Sequence, residues 1–344
     1  MKDEDRSSTV SPQPLSFALS LADGTRLALR AGDEEAARVV DWLARTAQLP
    51  PASSPLPPGA RRLLAVTTRS GDLSPQVDDA DVVYVLDALR LLHSLRSPGG
   101  RQSRGRRTVS SVAPDPNTER QRLWQQLMRL SACIAHETQP RGGVLLHSGL
   151  AAYPHRQPTF PLQGVSQPGR WESAPSPQEG EGRGEEGILL AGRSGVGKTT
   201  ASARLPRPWR ALADDMVLVV RAEDGAYWAH PWPTWSRFFG DEAGDGNGTW
   251  DTQGAVPLRA IFVLEQGDED RVAPLGPGHA VSLLAELARQ TSTYFVRGWP
   301  LDELAAFNRQ CFENLCALAR AVPAYSLHVS LDGAFWEEIA RALG

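Results

Sequence analysis

Apolar and polar residues alternate over Phe17–Leu21 and again over Arg26–Arg30, with Ala22-Asp23-Gly24 between them, and this period of two predicts a β-hairpin. The period then lengthens. Ala36, Ala37, Val39, Val40, Leu43 and Ala44 form a broad stripe at helical spacing, so residues 33–46 read as a helix with Asp33 as its cap. Leu63–Thr68 and Val82–Leu86 read as strands. From about Thr118 to Glu137, Leu123, Leu127, Leu130 and Cys133 recur as on one helix face, and the helix leads into an apolar strand, Gly143–Leu150. Gly187–Ala191 is a further apolar strand, followed by a short helix to Leu205 that Pro206 and Pro208 end. Strands at Leu212–Ala213, Met216–Arg221 and Ala226–Ala229 come next, the last two joined by the turn Glu223-Asp224-Gly225. Leu258–Glu265 and Ala324–Val329 are strands, and His279–Arg289, Pro300–Arg320 and Asp332–Leu343 are helices. No internal repeat is visible.

Three stretches break this patterning. Gln48–Gly59 is dominated by proline and serine, which continue neither a helix nor a central strand. Ser97–Asn117, rich in Gly, Arg, Ser and Pro, reads as a loop, and His155–Glu186, rich in Pro, Gly, Gln and Glu, as a disordered insertion in a hairpin. These breaks divide the chain into a small α/β region over 1–118, without a chemical motif, and a larger domain over 119–344. Partner recognition or oligomer contact is the default reading of the first.

Composition narrows the function classes. A formal net charge of -4 provides no domain-scale basic excess, which argues against a nucleic-acid binder. Cys133, Cys311 and Cys316 have no CxxC spacing and no neighbouring histidine cluster, so they read as reduced thiols rather than a zinc or disulfide framework. The first fifteen residues contain no apolar core of a signal sequence, and no run of eighteen apolar residues occurs. A cytoplasmic, soluble protein without membrane attachment is therefore expected. Of 36 Lys and Arg residues only Lys2 and Lys198 are lysines, so Lys198 is the one internal position at which arginine was not used. An ammonium is a compact point charge, which a cramped phosphate cradle can require.

Lys198 lies in the segment that carries the strongest chemical signal, Gly192-Arg193-Ser194-Gly195-Val196-Gly197-Lys198-Thr199, with Thr200 next. This is the spacing of a phosphate loop. Glycines permit tight turns and positive φ, so successive backbone N–H groups converge on a phosphate; the lysine bridges β- and γ-phosphates, and the threonine hydroxyl binds magnesium. Asp214-Asp215, sixteen residues beyond Lys198, suits the acidic partner that such proteins place near the metal, although an Asp-Asp pair elsewhere is most often a turn or a cap. His147 closes the strand Val144–Leu146 and has either a structural or a catalytic reading. Trp228, Trp232 and Trp235, with Phe238 and Phe239, line either a pocket or the core, and Arg237 and Arg259 either steady a transferred phosphoryl group or form surface ion pairs.

Strand, His147, strand, Gly192–Thr199, short helix and Leu212-Ala213-Asp214-Asp215, in this order, resemble the carboxyl-terminal domain of the HPr kinase/phosphorylases, a group with the phosphoenolpyruvate-carboxykinase-like P-loop fold. The segments His147-Ser148-Gly149-Leu150-Ala151 and His230-Pro231-Trp232-Pro233-Thr234-Trp235-Ser236 resemble more closely the ScmC type found in SynChlorMet peptide natural-product cassettes. The resemblance spans roughly 120–330. It implies an α/β fold with a mixed sheet and a kinase that transfers the γ-phosphoryl of Mg-ATP to a hydroxyl. It further implies Asp214 as base, assisted by His147, with Lys198 on the phosphates and Asp215 and Thr199 on Mg2+. One departure bears on the reaction: His230–Arg237 stands where the bifunctional enzymes carry a Glu-Ile-Arg-Gly-like segment, which removes support for phosphorolysis and for HPr as substrate. The expected acceptor is a peptide, a carrier protein or a small natural-product intermediate, with other cassette proteins as partners. An ATP-gated interaction module and a simple ATPase switch are the alternatives.

Overall fold

A computed structural model describes residues 16–52, 62–67, 82–85, 119–154, 184–234, 249–293, 295–296 and 299–344. The loop expected over Ser97–Asn117, most of the insertion expected after His155, and Trp235, Arg237, Phe238 and Phe239 lie outside these residues. The chain divides into two compact units, one made of 1–19, 26–44 and 50–105, the other of 20–25, 45–49 and 106–344.

In the first unit the strands β1 (Ser16–Ser20), β2 (Arg26–Ala31), β3 (Arg62–Thr67) and β4 (Val82–Val85) lie in that order in one sheet, with β2–β3 and β3–β4 parallel. Helix α1 (Glu34–Thr46) starts where expected, because Asp33 caps it: its Oδ1 accepts from Ala36 N–H at 2.7 Å. Ala36, Val39, Val40, Leu43 and Ala44 of the stripe are buried and Ala37 is half-buried at its margin, as helical spacing requires.

The second unit holds helix α2 (Glu119–His136) and an eight-stranded mixed sheet. Its strands are β5 (Val144–Pro154), β6 (Glu185–Ala191), β7 (Arg210–Ala213), β8 (Met216–Arg221), β9 (Tyr227–Pro231), β10 (Val256–Gln266), β11 (Arg271–Leu275) and β12 (Ala324–Val329). β6, β10 and β12 are mutually parallel through β10, whereas β5 runs antiparallel to β6, β7 and β8. β9 pairs with both β8 and the first residues of β10, which brings the antiparallel part of the sheet back to its parallel part. Among the described residues, the helices that accompany these strands are α3 (Lys198–Arg204), α4 (Pro277–Ser292), α5 (Leu301–Ala321) and α6 (Phe335–Leu343).

The alternation of a strand separates two cores. Ile188 and Leu190 of β6, with Ala260, Phe262 and Leu264 of β10, face Ala201 of α3 and Phe335 and Ile339 of α6. Leu189, Ala191, Ile261 and Val263 face the other way, onto Ala280, Leu284 and Leu287 of α4 and Leu315 and Leu318 of α5. The central strands β6 and β10 carry the unbroken apolar runs 188–191 and 260–264 because both faces are covered there. Against expectation, β6 begins at Glu185, within the stretch read as the end of the insertion, and β11 is an added edge strand. Cys133 is buried and Cys311 and Cys316 are half-buried, and none of the three is in a disulfide. No described helix is long and apolar enough to cross a membrane.

Candidate functional site

β6 ends at Ala191 and α3 starts at Lys198, so the glycine-rich loop Gly192–Gly197 emerges at the carboxyl end of the parallel strands, the edge at which open α/β sheets present ligand sites. The glycines answer to local sterics. Gly195 and Gly197 have φ of 81° and 104°, a region that side chains with a Cβ disfavour. At Gly192 the constraint is space, since a Cβ there would lie 2.8 Å from Val196 Cγ1 and 3.4 Å from the Leu264 carbonyl oxygen. The loop therefore rests directly against the end of β10.

Lys198 is buried at 6% exposure, and its Nζ donates to the carbonyl oxygens of Gly192 at 2.9 Å and Arg193 at 3.2 Å. Burial lowers its pKa, while the nearby Asp215 carboxylate works in the opposite direction. Arg193, Ser194, Gly195, Thr199 and Thr200 are exposed at the rim, and Val196 and Gly197 are half-buried.

Asp214-Asp215 occupies the step between β7 and β8, and β5 runs past both strands. Leu150 pairs with Ala213 and His147 with Met216, and Ser148 N–H donates to the Asp215 carbonyl at 2.9 Å. This register sets the second aspartate beside the histidine: His147 Nε2 lies 2.6 Å from Asp215 Oδ1. The resemblance assigns His147 as an aid to Asp214; the structure pairs it with Asp215. Gly149 packs closely in the same strand: a Cβ there would lie 3.2 Å from Ser202 Oγ of α3 and 3.3 Å from the Ala213 carbonyl oxygen, so those neighbours would have to give by a few tenths of an ångström.

Two residues that sequence reasoning missed complete the cluster. His147 Nδ1 is 2.5 Å from Gln290 Oε1 on α4, and Gln290 Nε2 donates to Glu286 Oε1 at 3.1 Å. Glu286 also accepts two hydrogen bonds from Arg289, at 2.8 and 2.7 Å. Hydrogen bonds from Arg289 and Gln290 chiefly, with the charge of Arg193 adding to them, hold the Glu286 carboxyl down at about 2. Nothing in the spacing of a polar Gln on an amphipathic helix announces this; Gln290 is 143 positions from His147.

Other candidates lie elsewhere. Arg259 is near the start of β10, where Leu258 pairs with Gly187, and its Nε is 3.7 Å from Glu186 Oε2. That end of β6 is five residues, about 17 Å of strand, from Gly192. Arg259 is thus an ion-pair residue at the far edge. Trp232 is core: it is buried and its indole N–H donates to the Ser131 carbonyl at 3.2 Å. Trp228 is half-buried on β9, opposite Val220. His230, in the same segment, is fully buried. Its Nδ1 donates to the Thr252 carbonyl at 2.8 Å and its Nε2 accepts from Ala22 N–H at 3.2 Å.

The geometry defines an α/β protein with a mixed sheet, in which a glycine-rich loop with one buried lysine adjoins an Asp-His pair. Residues 180–344 match the family described as SynChlorMet cassette protein ScmC. The matched region includes the loop, Asp214-Asp215 and Gln290, whereas His147 precedes it. No curated protein matches the chain.

Proposed function

We propose that the chain is an ATP-dependent kinase with the HPr-kinase-like, phosphoenolpyruvate-carboxykinase-like P-loop arrangement, acting on a hydroxyl of a peptide, carrier protein or small intermediate in a natural-product cassette. The observation that carries this reading is the convergence of Lys198, the positive-φ glycine loop and the His147–Asp215 pair at one edge of the sheet. The donor chemistry fits Mg-ATP: Thr199 offers a hydroxyl and Asp215 a carboxylate, the hard oxygens that magnesium takes, and the loop offers backbone N–H groups and an ammonium to phosphate oxygens. When bound, Mg-ATP supplies the transferable γ-phosphoryl group and the metal charge that offsets it.

The protein's own contributions follow from the geometry. Lys198 Nζ, which donates to the Gly192 and Arg193 carbonyls, would turn to phosphate oxygens on its flexible stem and hold them by its positive charge. Asp214, next to the metal-side aspartate, takes the proton of the acceptor hydroxyl as the oxygen attacks phosphorus. His147 fixes the orientation of Asp215, so that the two adjacent carboxylates keep separate tasks.

The test is transfer of label from γ-labelled ATP to candidate peptide, carrier-protein and small-molecule acceptors. Wild type is expected to label one of them, and Asp214→Asn to lose at least about 100-fold, the scale of general-base catalysis. Equal transfer by both proteins would remove Asp214 as base. Release of phosphate to water alone would replace the kinase by an ATPase switch, and tight ATP binding without turnover would replace it by a nucleotide-gated interaction module.

A further inference from the structure

We propose that the cleft between the end of α2, the start of β5, the last turns of α4 and the middle of α5 is a side-chain pocket for the phosphoryl acceptor, and that it takes a small branched aliphatic group of the valine or leucine kind. The assignment to an acceptor rests on the kinase reading, whereas the capacity for an aliphatic group is a property of the protein by itself.

The place of the cleft ties it to the site. β5 pairs with β6 only as far as Ser148, opposite Ala191, while Val144–His147 pair with β8. The first residues of β5 therefore run past the end of β6, from which the glycine-rich loop departs. Leu145 is two residues, about 7 Å of strand, from His147 in that direction. Helix α4 serves both places: Gln290 meets His147, and Thr291 Oγ1 lies 2.8 Å from the Leu145 carbonyl oxygen. In-line transfer puts an acceptor on the far side of the phosphoryl group from the nucleotide. An acceptor whose hydroxyl stands at Asp214-Asp215 thus extends along β5 into the cleft.

The lining selects the chemistry. The cleft is open on one side and has a volume of about 30 Å³, with His136, Leu145, Ala288, Thr291, Phe307 and Cys311 on its walls. No Asp, Glu, Lys or Arg is among the described residues that line it. Its polar groups are turned to the backbone. Thr291 Oγ1 is also 2.8 Å from the Ala288 carbonyl oxygen, Ser292 Oγ donates to the Arg289 carbonyl at 3.0 Å, and Gln139 Nε2 donates to the Phe307 carbonyl at 3.1 Å. His136 packs its ring among those of Phe295, Trp299 and Phe307. Burial pushes the Cys311 thiol up to about 11, so it offers a neutral, polarisable wall. An ammonium or a phosphate would find no carboxylate, lysine or arginine among these residues, whereas an apolar group would shed its water against carbon and sulfur. Room on the order of two waters suits the few carbons at the tip of valine or leucine and excludes an aromatic ring.

The test uses the full-length protein with isobutanol and benzyl alcohol as probes, followed through the 13C-methyl signals of Ala132, Ala135 and Ala288, which line the cleft. Isobutanol is expected to shift these signals saturably and benzyl alcohol to leave them in place. Cys311→Met, at a half-buried wall position, and Ala288→Leu, at a buried one, each fill the cleft and should weaken isobutanol binding at least about 10-fold; if one of them misfolds, the other decides. No saturable shift in wild type, benzyl alcohol bound as well as isobutanol, or wild-type affinity in a folded variant overturns the proposal. Where transfer to an acceptor is measurable, Cys311→Met should raise KM for that acceptor about 10-fold with KM for ATP unchanged, and an unchanged acceptor KM overturns the acceptor role. Isobutanol binding without phosphoryl transfer to any acceptor would uphold the pocket and count against the kinase reading alone.

Discussion

His230 makes the stability of the second unit depend on pH, and the direction and size follow from its surroundings. Full burial is the main influence and lowers its pKa to about 4; the Thr252 carbonyl and the charges of Asp23 and Asp251 offset it only in part. Protonation would also remove the lone pair that accepts from Ala22 N–H. The folded chain therefore binds this proton less readily than the unfolded chain, whose histidine titrates near 6.5. Stability from the neutral ring is fully present above about pH 6.5 and declines as pH falls toward 4. With these two values, linkage gives a loss of about 2 kcal/mol between pH 7.5 and pH 5. The assay is guanidinium unfolding followed by fluorescence, to which the buried Trp232 and Trp250 contribute. His230→Gln, which has no titrating group, should be less stable than wild type at pH 7.5, and that gap should narrow by about 2 kcal/mol at pH 5. Other carboxylates and histidines shift both proteins alike and cancel in the difference. A gap that stays constant across this range would show that His230 does not titrate as its burial requires.

Two further perturbations probe the frame around the loop. Gly149→Val forces a side chain against Ser202 Oγ and the Ala213 carbonyl, which should destabilise by about 1–3 kcal/mol, seen as a lowered guanidinium midpoint, with Gly149→Ala less affected. Arg204 of α3 donates to the carbonyls of Ser330 at 2.7 Å and Gly333 at 2.6 Å and lies over the Phe335 ring, so Arg204→Ala should speed amide hydrogen exchange over 330–343 and cost about 2 kcal/mol.

The elements that sequence exposed most clearly are those buried on both faces or marked by a local signal. Ala324–Val329 is found with the expected bounds because a run of apolar and small residues is flanked by Pro323 and the Ser330–Gly333 turn region. Gly225, at φ 88°, closes the predicted hairpin between β8 and β9. β11 escaped because Arg271–Leu275 pairs on one side only, through β12, and such an edge strand tolerates Pro274 and exposed residues that a central strand would not.

The candidate site was legible where chain neighbours carry it, as in Gly192–Thr199 and Asp214-Asp215. Which aspartate meets His147 depends on the β5–β8 register, which the sequence does not display. Arg259 was misleading for the same reason: sequence shows that β10 is a strand, whereas its parallel pairing with β6 sets which end adjoins the loop. Gln290 and Glu286 are visible only once α4 is laid against β5.

The most direct test of the central claim is calorimetric titration of Mg-ATP into the full-length protein and into Lys198→Ala. One site per chain should be seen in wild type, weakened about 100-fold in the variant, which lacks two charge-assisted hydrogen bonds to phosphate. Absence of binding in wild type, or equal affinity in both proteins, would contradict the assignment of this loop as the seat of a nucleotide.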